Sequence, residues 1–154
     1  MKKTTLLTFL IFAVAAGLCF AGDENFMGTW KLNQAKSKIP ANTPHNNTVV
    51  YAQTGDELTI TGDGVDGAGK PMHQVWTGKL DGKDYPAKGS RTHNMRAYTK
   101  VDANTLTYTL MKDGKKLGDG KVVIAADGKS RTVTETMAGA NGKSVEATSV
   151  FDKQ

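Results

Sequence analysis

The residues Phe26-Met27-Gly28-Thr29-Trp30-Lys31-Leu32-Asn33 decide how this chain folds. They read as a strand with a large indole near its start. Gly28, just ahead of the indole, has the freedom to turn the chain sharply or to bring two backbones close. Trp30 is expected to plug one end of a closed sheet, with its indole N–H bonded to backbone. Gly28 and Trp30 together carry the structural work of closure.

Working outward, the chain becomes a series of short strands separated by glycine turns. Residues 48–54 and 57–61 flank Gly55-Asp56, and Leu58 and Ile60 alternate with Thr59 and Thr61, the period of a half-buried strand. Further strands are predicted over residues 71–80, 95–101, 105–112, 121–125, 131–137 and 145–151. Between them stand Asp81-Gly82, Asp113-Gly114, Asp127-Gly128 and Asn141-Gly142, all hairpin-forming pairs. Residues 35–47, broken by Pro40 and Pro44, read as a connecting loop with one helical turn near residues 34–38. Residues 62–70, holding four glycines, read as a loose turn, and residues 84–93 as a longer loop. About nine strands with hairpin-sized connections make a meander, and closing it on itself removes both exposed edges. The 17 glycines suit a strongly curved sheet. The expected fold class is all-β: an antiparallel up-and-down β-barrel of about 8–10 strands, with a two-sheet sandwich as the alternative.

Upstream of the first strand, residues 1–21 have the three parts of a secretory signal peptide: a basic start at Lys2 and Lys3, an apolar run over residues 6–18, and small residues before Gly22. The run is short for a membrane span. Cleavage is expected after Ala21. A lipoprotein attached at Cys19 is the competing reading, against which the bulky Leu18 stands. The product would be secreted or periplasmic, with residues 22–154 forming one domain and no membrane span. Cys19 is the only cysteine of the 154 residues, so cleavage leaves no disulfide, no thiolate metal ligand and no cysteine nucleophile. Removing Lys2 and Lys3 lowers the net charge from +5 to +3, and the remaining bases are scattered among turns. That distribution describes a solvated surface and excludes a nucleic-acid footprint.

The stretch Phe26-x-Gly28-Thr29-Trp30-Lys31-Leu32 resembles the opening strand of the calycin superfamily, the lipocalins and fatty-acid-binding proteins, whose shared mark is Gly-x-Trp. Gly69-Lys70-Pro71, the Asp-Gly-Lys repeats at Asp81 and Asp127, and the Asp84-Tyr85-Pro86 that follows the first of them resemble uncharacterised bacterial exported proteins of lipocalin-like type. The resemblance implies a lipocalin-like barrel that holds a small ligand inside. It also implies an arginine near the barrel's end stacked on the first tryptophan, for which Arg131 is the late candidate. The chain departs from the fatty-acid-binding proteins in two places. Residues 35–47 are too short and too proline-broken for a two-helix lid, and the last strand has no Arg-x-Tyr.

Candidate chemistry is sparse. Met72, Gln74, Trp76 and Gly78 fall on one face of their strand, and neither face is wholly apolar, so one is expected to look into a polar interior. Trp76, Met95, Tyr108 and Arg131 are the candidate ligand contacts; Met adapts to varied apolar surfaces, and Arg96 or Arg131 would pin an anionic group by charge-assisted hydrogen bonds if its strand register turns it inward. His45, His73 and His93 have no metal-ligand spacing and read as scattered surface residues, so neither a metal nor a cofactor is expected. Glu135, between Thr134 and Thr136, reads as an outward side chain. No Gly-x-Ser-x-Gly, phosphate loop or His-Glu-x-x-His is present. The expectation is a non-enzymatic binding protein for a small apolar or amphipathic ligand. Two rivals remain: a filled barrel acting through its surface in interaction or envelope association, and a calycin-type enzyme, which a buried cluster of Glu135, Arg131 and a histidine would favour.

Overall fold

The structure, a computed structural model, describes residues 23–139 and 142–154. The expected signal segment and its cleavage point lie outside the described residues, as does Asn141 of the last predicted turn. Ten strands form among the described residues: β1 (Gly28–Leu32), β2 (His45–Thr54), β3 (Glu57–Val65), β4 (Pro71–Gly78), β5 (Tyr85–Lys88), β6 (Met95–Asp102), β7 (Thr105–Lys112), β8 (Lys115–Ile124), β9 (Ser130–Ala138) and β10 (Ser144–Lys153). A single 3₁₀ turn, Gln34–Lys36, follows β1. Each strand pairs antiparallel with its sequence neighbours, and β1 pairs with both β2 and β10 to close the barrel. No helix among the described residues is long and apolar enough to cross a membrane.

Closure is set by the opening stretch. Gly28 has φ +100°, a left-handed conformation that side chains oppose, and this lets the chain swing from residues 23–27 into β1. Trp30 then lies between Val49 of β2 and Lys153 of β10. It is fully buried, and its Nε1 donates to the Phe26 carbonyl oxygen at 2.8 Å. The segment before β1 is held across the same end, with Lys100 Nζ on Asp23 at 2.6 Å and Asn25 Nδ2 donating to Asn104 Oδ1 at 2.8 Å. Alternate residues of successive strands fill the barrel, among them Leu58, Ile60, Trp76, Leu106, Leu110 and Val122.

Where the strands differ from expectation, backbone pairing extends past the apolar signal. Strand β3 runs on through Gly62 and Gly64, which pair with Gln74 and Met72 without contributing side chains. Strand β8 begins at Lys115, and the glycines Gly118 and Gly120 interrupt the alternation that would have revealed it. Strand β2 starts at His45, ahead of its apolar residues. The tenth strand, β5, lies in what reads as a loop. It makes two register pairs on each side, Val75↔Lys88 and Trp76↔Ala87 with β4, then Tyr85↔Arg96 and Pro86↔Met95 with β6. Four residues are too few to show a period, and Pro86 argues locally against a strand.

Gly120 carries a packing constraint that can be measured. It pairs with both Tyr108 and Glu135, and a Cβ there would stand 2.3 Å from the buried Tyr108 Cζ. Gly120→Ala is expected to lower unfolding free energy by about 1–3 kcal/mol, read from urea midpoints.

Candidate functional site: a polar barrel interior

The inner wall changes character between the two ends of the barrel. Beside Trp30 it is apolar and closely filled. Toward the other end, under residues 33–44 and 89–94, it carries arginine, glutamate, histidine and tyrosine side chains around a cavity of about 100 Å³. That is the share of liquid volume of roughly three waters. Ile39 and Pro44 of the first loop and His93 of the second form its upper lining.

Arg131 is delivered by the second position of β9, opposite Phe151 of β10 and Ile124 of β8. It is buried, at 2% exposure. Its guanidinium carbon lies 4.5 Å from the Phe151 ring centre, 4.8 Å from Tyr51 and 5.2 Å from Trp30. Aromatic faces offer a desolvated cation an attraction worth about 0.5–2 kcal/mol each. They do not satisfy its N–H groups, and Nε and Nη1 have no hydrogen-bond partner.

Arg96 is turned inward by β6 beside Tyr98. Its Nη1 donates to the Tyr98 hydroxyl at 3.1 Å and its Nη2 to His93 Nε2 at 3.0 Å. Its Nε is buried and unpartnered. A guanidinium can only donate, so His93 accepts at Nε2 and carries its proton on Nδ1, near the hydroxyls of Ser90 and Thr92, both at 3.0 Å. Burial, reinforced by the Arg96 charge, lowers the His93 pKa to about 3. The imidazole is therefore neutral at physiological pH. Burial works against the Arg96 charge, but the surrounding Tyr98, Tyr108 and Glu135 outweigh it and hold the guanidinium protonated.

Tyr108 reaches Glu135 because of Gly120. With no side chain on the intervening strand, the phenol crosses from β7 over β8, and its hydroxyl donates to Glu135 Oε2 on β9 at 2.6 Å. Burial, with the nearby Glu135 carboxyl, raises the Tyr108 pKa well above its ordinary value. Burial does the same to Tyr98 against the opposing pull of Arg96. Two guanidinium groups thus face one carboxyl group, leaving the interior electropositive even with Glu135 ionised.

The four candidate contacts separate. Tyr108 and Arg131 line the cavity. Trp76 is buried beneath it, with its Nε1 donating to the Arg96 carbonyl oxygen at 2.8 Å and its ring edge-on to Tyr98 at 4.7 Å, so it supports the wall. Met95 is corrected: it alternates with Arg96, lies opposite Pro86, and stands on the outer face away from the cavity. Two further expectations are corrected. His93 is buried at 5% exposure and is no surface residue, and Glu135 points inward. Its strand offered a signal for this: Glu135 shares the parity of Val133 and Met137, so period two places all three on the apolar face. His45 lies at the mouth, with Nδ1 3.0 Å from the Thr43 carbonyl oxygen, whereas His73 pairs outside with Asp63 at 2.6 Å. Among the described residues, no group of His, Cys, Asp or Glu is placed to hold a metal.

Comparison with known proteins adds evidence on fold. No protein-family model and no curated protein matches the sequence. Among solved structures, the chain is similar to EF1p2_mFAP2b bound to DFHBI, at 11% identity over 86% of this chain and 97% of that one, with a TM-score of 0.50. It is also similar to lobster apocrustacyanin A1, at 12% identity over 85% of this chain and 62% of that one, with a TM-score of 0.39. At such identities a likeness bears on the fold alone. The first likeness agrees with the closed antiparallel meander of ten strands.

The buried imidazole gives the protein a pH signature. His93 takes up its proton near 6.5 when unfolded and near 3 when folded. Between those values the unfolded state binds more protons, so stability rises with pH and flattens above 6.5. The expected slope from this residue approaches 1.4 kcal/mol per pH unit. Urea midpoints from pH 4 to 7.5 should show it in the wild type and lose it in His93→Gln.

Proposed function

We propose that this protein is a non-enzymatic binding protein, exported after cleavage at Ala21, whose barrel interior holds a small amphipathic ligand through an acceptor group of negative charge. One observation carries the reading: Arg131 Nε, Arg131 Nη1 and Arg96 Nε are buried without partners. A buried donor left unmade costs about 1–3 kcal/mol, and more for a charged group. Both arginines line the same cavity, and an oxyanion that reached these donors would complete them with charge-assisted hydrogen bonds. Val49, Ile60, Met72 and Val133 on the same wall suit a short apolar body.

Size narrows the ligand class. Pockets for drug-sized molecules occupy about 300–1,000 Å³, so the interior suits a compact carboxylate in preference to a long-chain lipid. The small volume is also the observation that favours a filled barrel acting through its surface. The meeting of Glu135, Arg131 and His93 around one cavity is what an enzyme would require. Against that reading, His93 is neutral and committed to Arg96, and the Glu135 carboxyl is occupied by the Tyr108 hydroxyl.

Titration calorimetry with a homologous series of carboxylates tests the proposal. Short-chain acids are expected to bind and to raise the melting temperature, with affinity falling once the chain outgrows the cavity. Arg131→Met should abolish that binding. Because it replaces an unsatisfied buried cation with an apolar side chain, it should leave the ligand-free protein within about 1 kcal/mol of wild type or more stable. Absence of binding by every acid would leave the surface-acting barrel as the reading.

A further inference from the structure

A second hollow lies outside the barrel at the opposite end, against Phe26. It measures about 590 Å³, within the size range of small-molecule sites. Its walls are Phe26 and Met27, ahead of β1, with Leu58 at the start of β3 and Leu80 just past β4. Phe26 and Leu58 are buried parts of the core, while Met27 and Leu80 are partly exposed side chains packed against it. The barrel floor is therefore apolar on both sides.

The charges at the rim decide what the hollow admits. Lys100 is bound to Asp23 at 2.6 Å and Lys79 to Asp56 at 2.5 Å, so each ammonium is matched by a carboxylate. Asp81, the third carboxylate, accepts from the Lys83 backbone N–H at 3.1 Å and the Tyr85 hydroxyl at 3.2 Å, with Lys83 Nζ 3.6 Å away. The rim is charge-balanced. A charged guest would have to break one of these pairs, while a neutral apolar guest leaves all of them intact and removes the exposed faces of Met27 and Leu80 from water. Met27 adds an adaptable wall, since its thioether accommodates varied shapes.

We infer that the hollow under the barrel floor is a binding site for neutral apolar small molecules, separate from the electropositive interior. The two sites differ in size, charge and position, so one chain carries two ligand specificities. The inference stands on the hollow's own geometry and does not depend on what the interior binds.

The test uses N-phenyl-1-naphthylamine, a neutral fluorescent probe too large for the 100 Å³ interior, with protein recovered from the cells that make it. Saturable binding is expected. Leu80→Asp and Met27→Lys should each weaken it by about tenfold or more, since each places a charge on an apolar wall. Both positions are partly exposed, and circular dichroism melts identify any variant that fails to fold. Arg96→Met should leave probe affinity within about twofold, while Leu80→Asp should leave carboxylate binding to the interior unchanged. Loss of probe binding in Arg96→Met with retention in Leu80→Asp would put the probe in the interior and overturn the inference. A dimer in sedimentation that Leu80→Asp converts to monomer would also overturn it, because a second copy would then occupy the hollow.

Discussion

The barrel depends on a junction that two strands cannot make alone. Strand β1 must pair with β2 on one side and β10 on the other, and Trp30 stands where those ladders meet. Its ring is enclosed, its N–H is satisfied by the chain four residues earlier, and Arg131 lies against its face. Without β1 the sheet would present two long unpaired edges. With it, every strand has two neighbours, and the interior is sheltered from bulk water, so that a few charges act strongly there.

That enclosure gives the two arginines their significance. A guanidinium in water loses little by leaving an N–H unmade, because water replaces the partner. In the barrel the same group is desolvated, and aromatic faces compensate the charge without closing the hydrogen bonds. Arg131 Nε and Nη1 thus have no protein acceptor within reach. Arg96 shares the arrangement but spends two of its nitrogens on Tyr98 and His93, which fixes its orientation; burial, reinforced by its charge, keeps the imidazole neutral. The Tyr108–Glu135 hydrogen bond, made possible by Gly120, shows how an absent side chain on one strand can set the chemistry of two others.

Much of the fold was legible in the chain. Asp-Gly turns and period-two strands point to a meander, and the Gly28–Trp30 pairing points to closure. Strand β5 was hidden because four residues with a proline carry no periodicity. The far parts of β3 and β8 were hidden because glycines pair through backbone that a side-chain pattern does not register. For the interior, strand parity was the usable signal: Arg131 and Glu135 share the face of Val133 and Met137, and Arg96 shares that of Tyr98. What parity alone misses is His93, which precedes β6 in a loop and is held over the cavity by hydrogen bonds with its near neighbours Ser90, Thr92 and Arg96. Met95 shows the opposite error, since its chemistry suited a cavity wall while its parity turned it outward.

The most direct measurement is ¹⁵N NMR of the arginine Nε–H groups as a short-chain carboxylate is added. Both buried donors lack a protein partner and are the groups an oxyanion would complete. The Arg131 and Arg96 Nε–H resonances are expected to shift saturably together, while exposed Arg91 stays still. Resonances that remain unmoved at carboxylate concentrations where the solvent-exposed arginine already responds would contradict an anion site in the barrel.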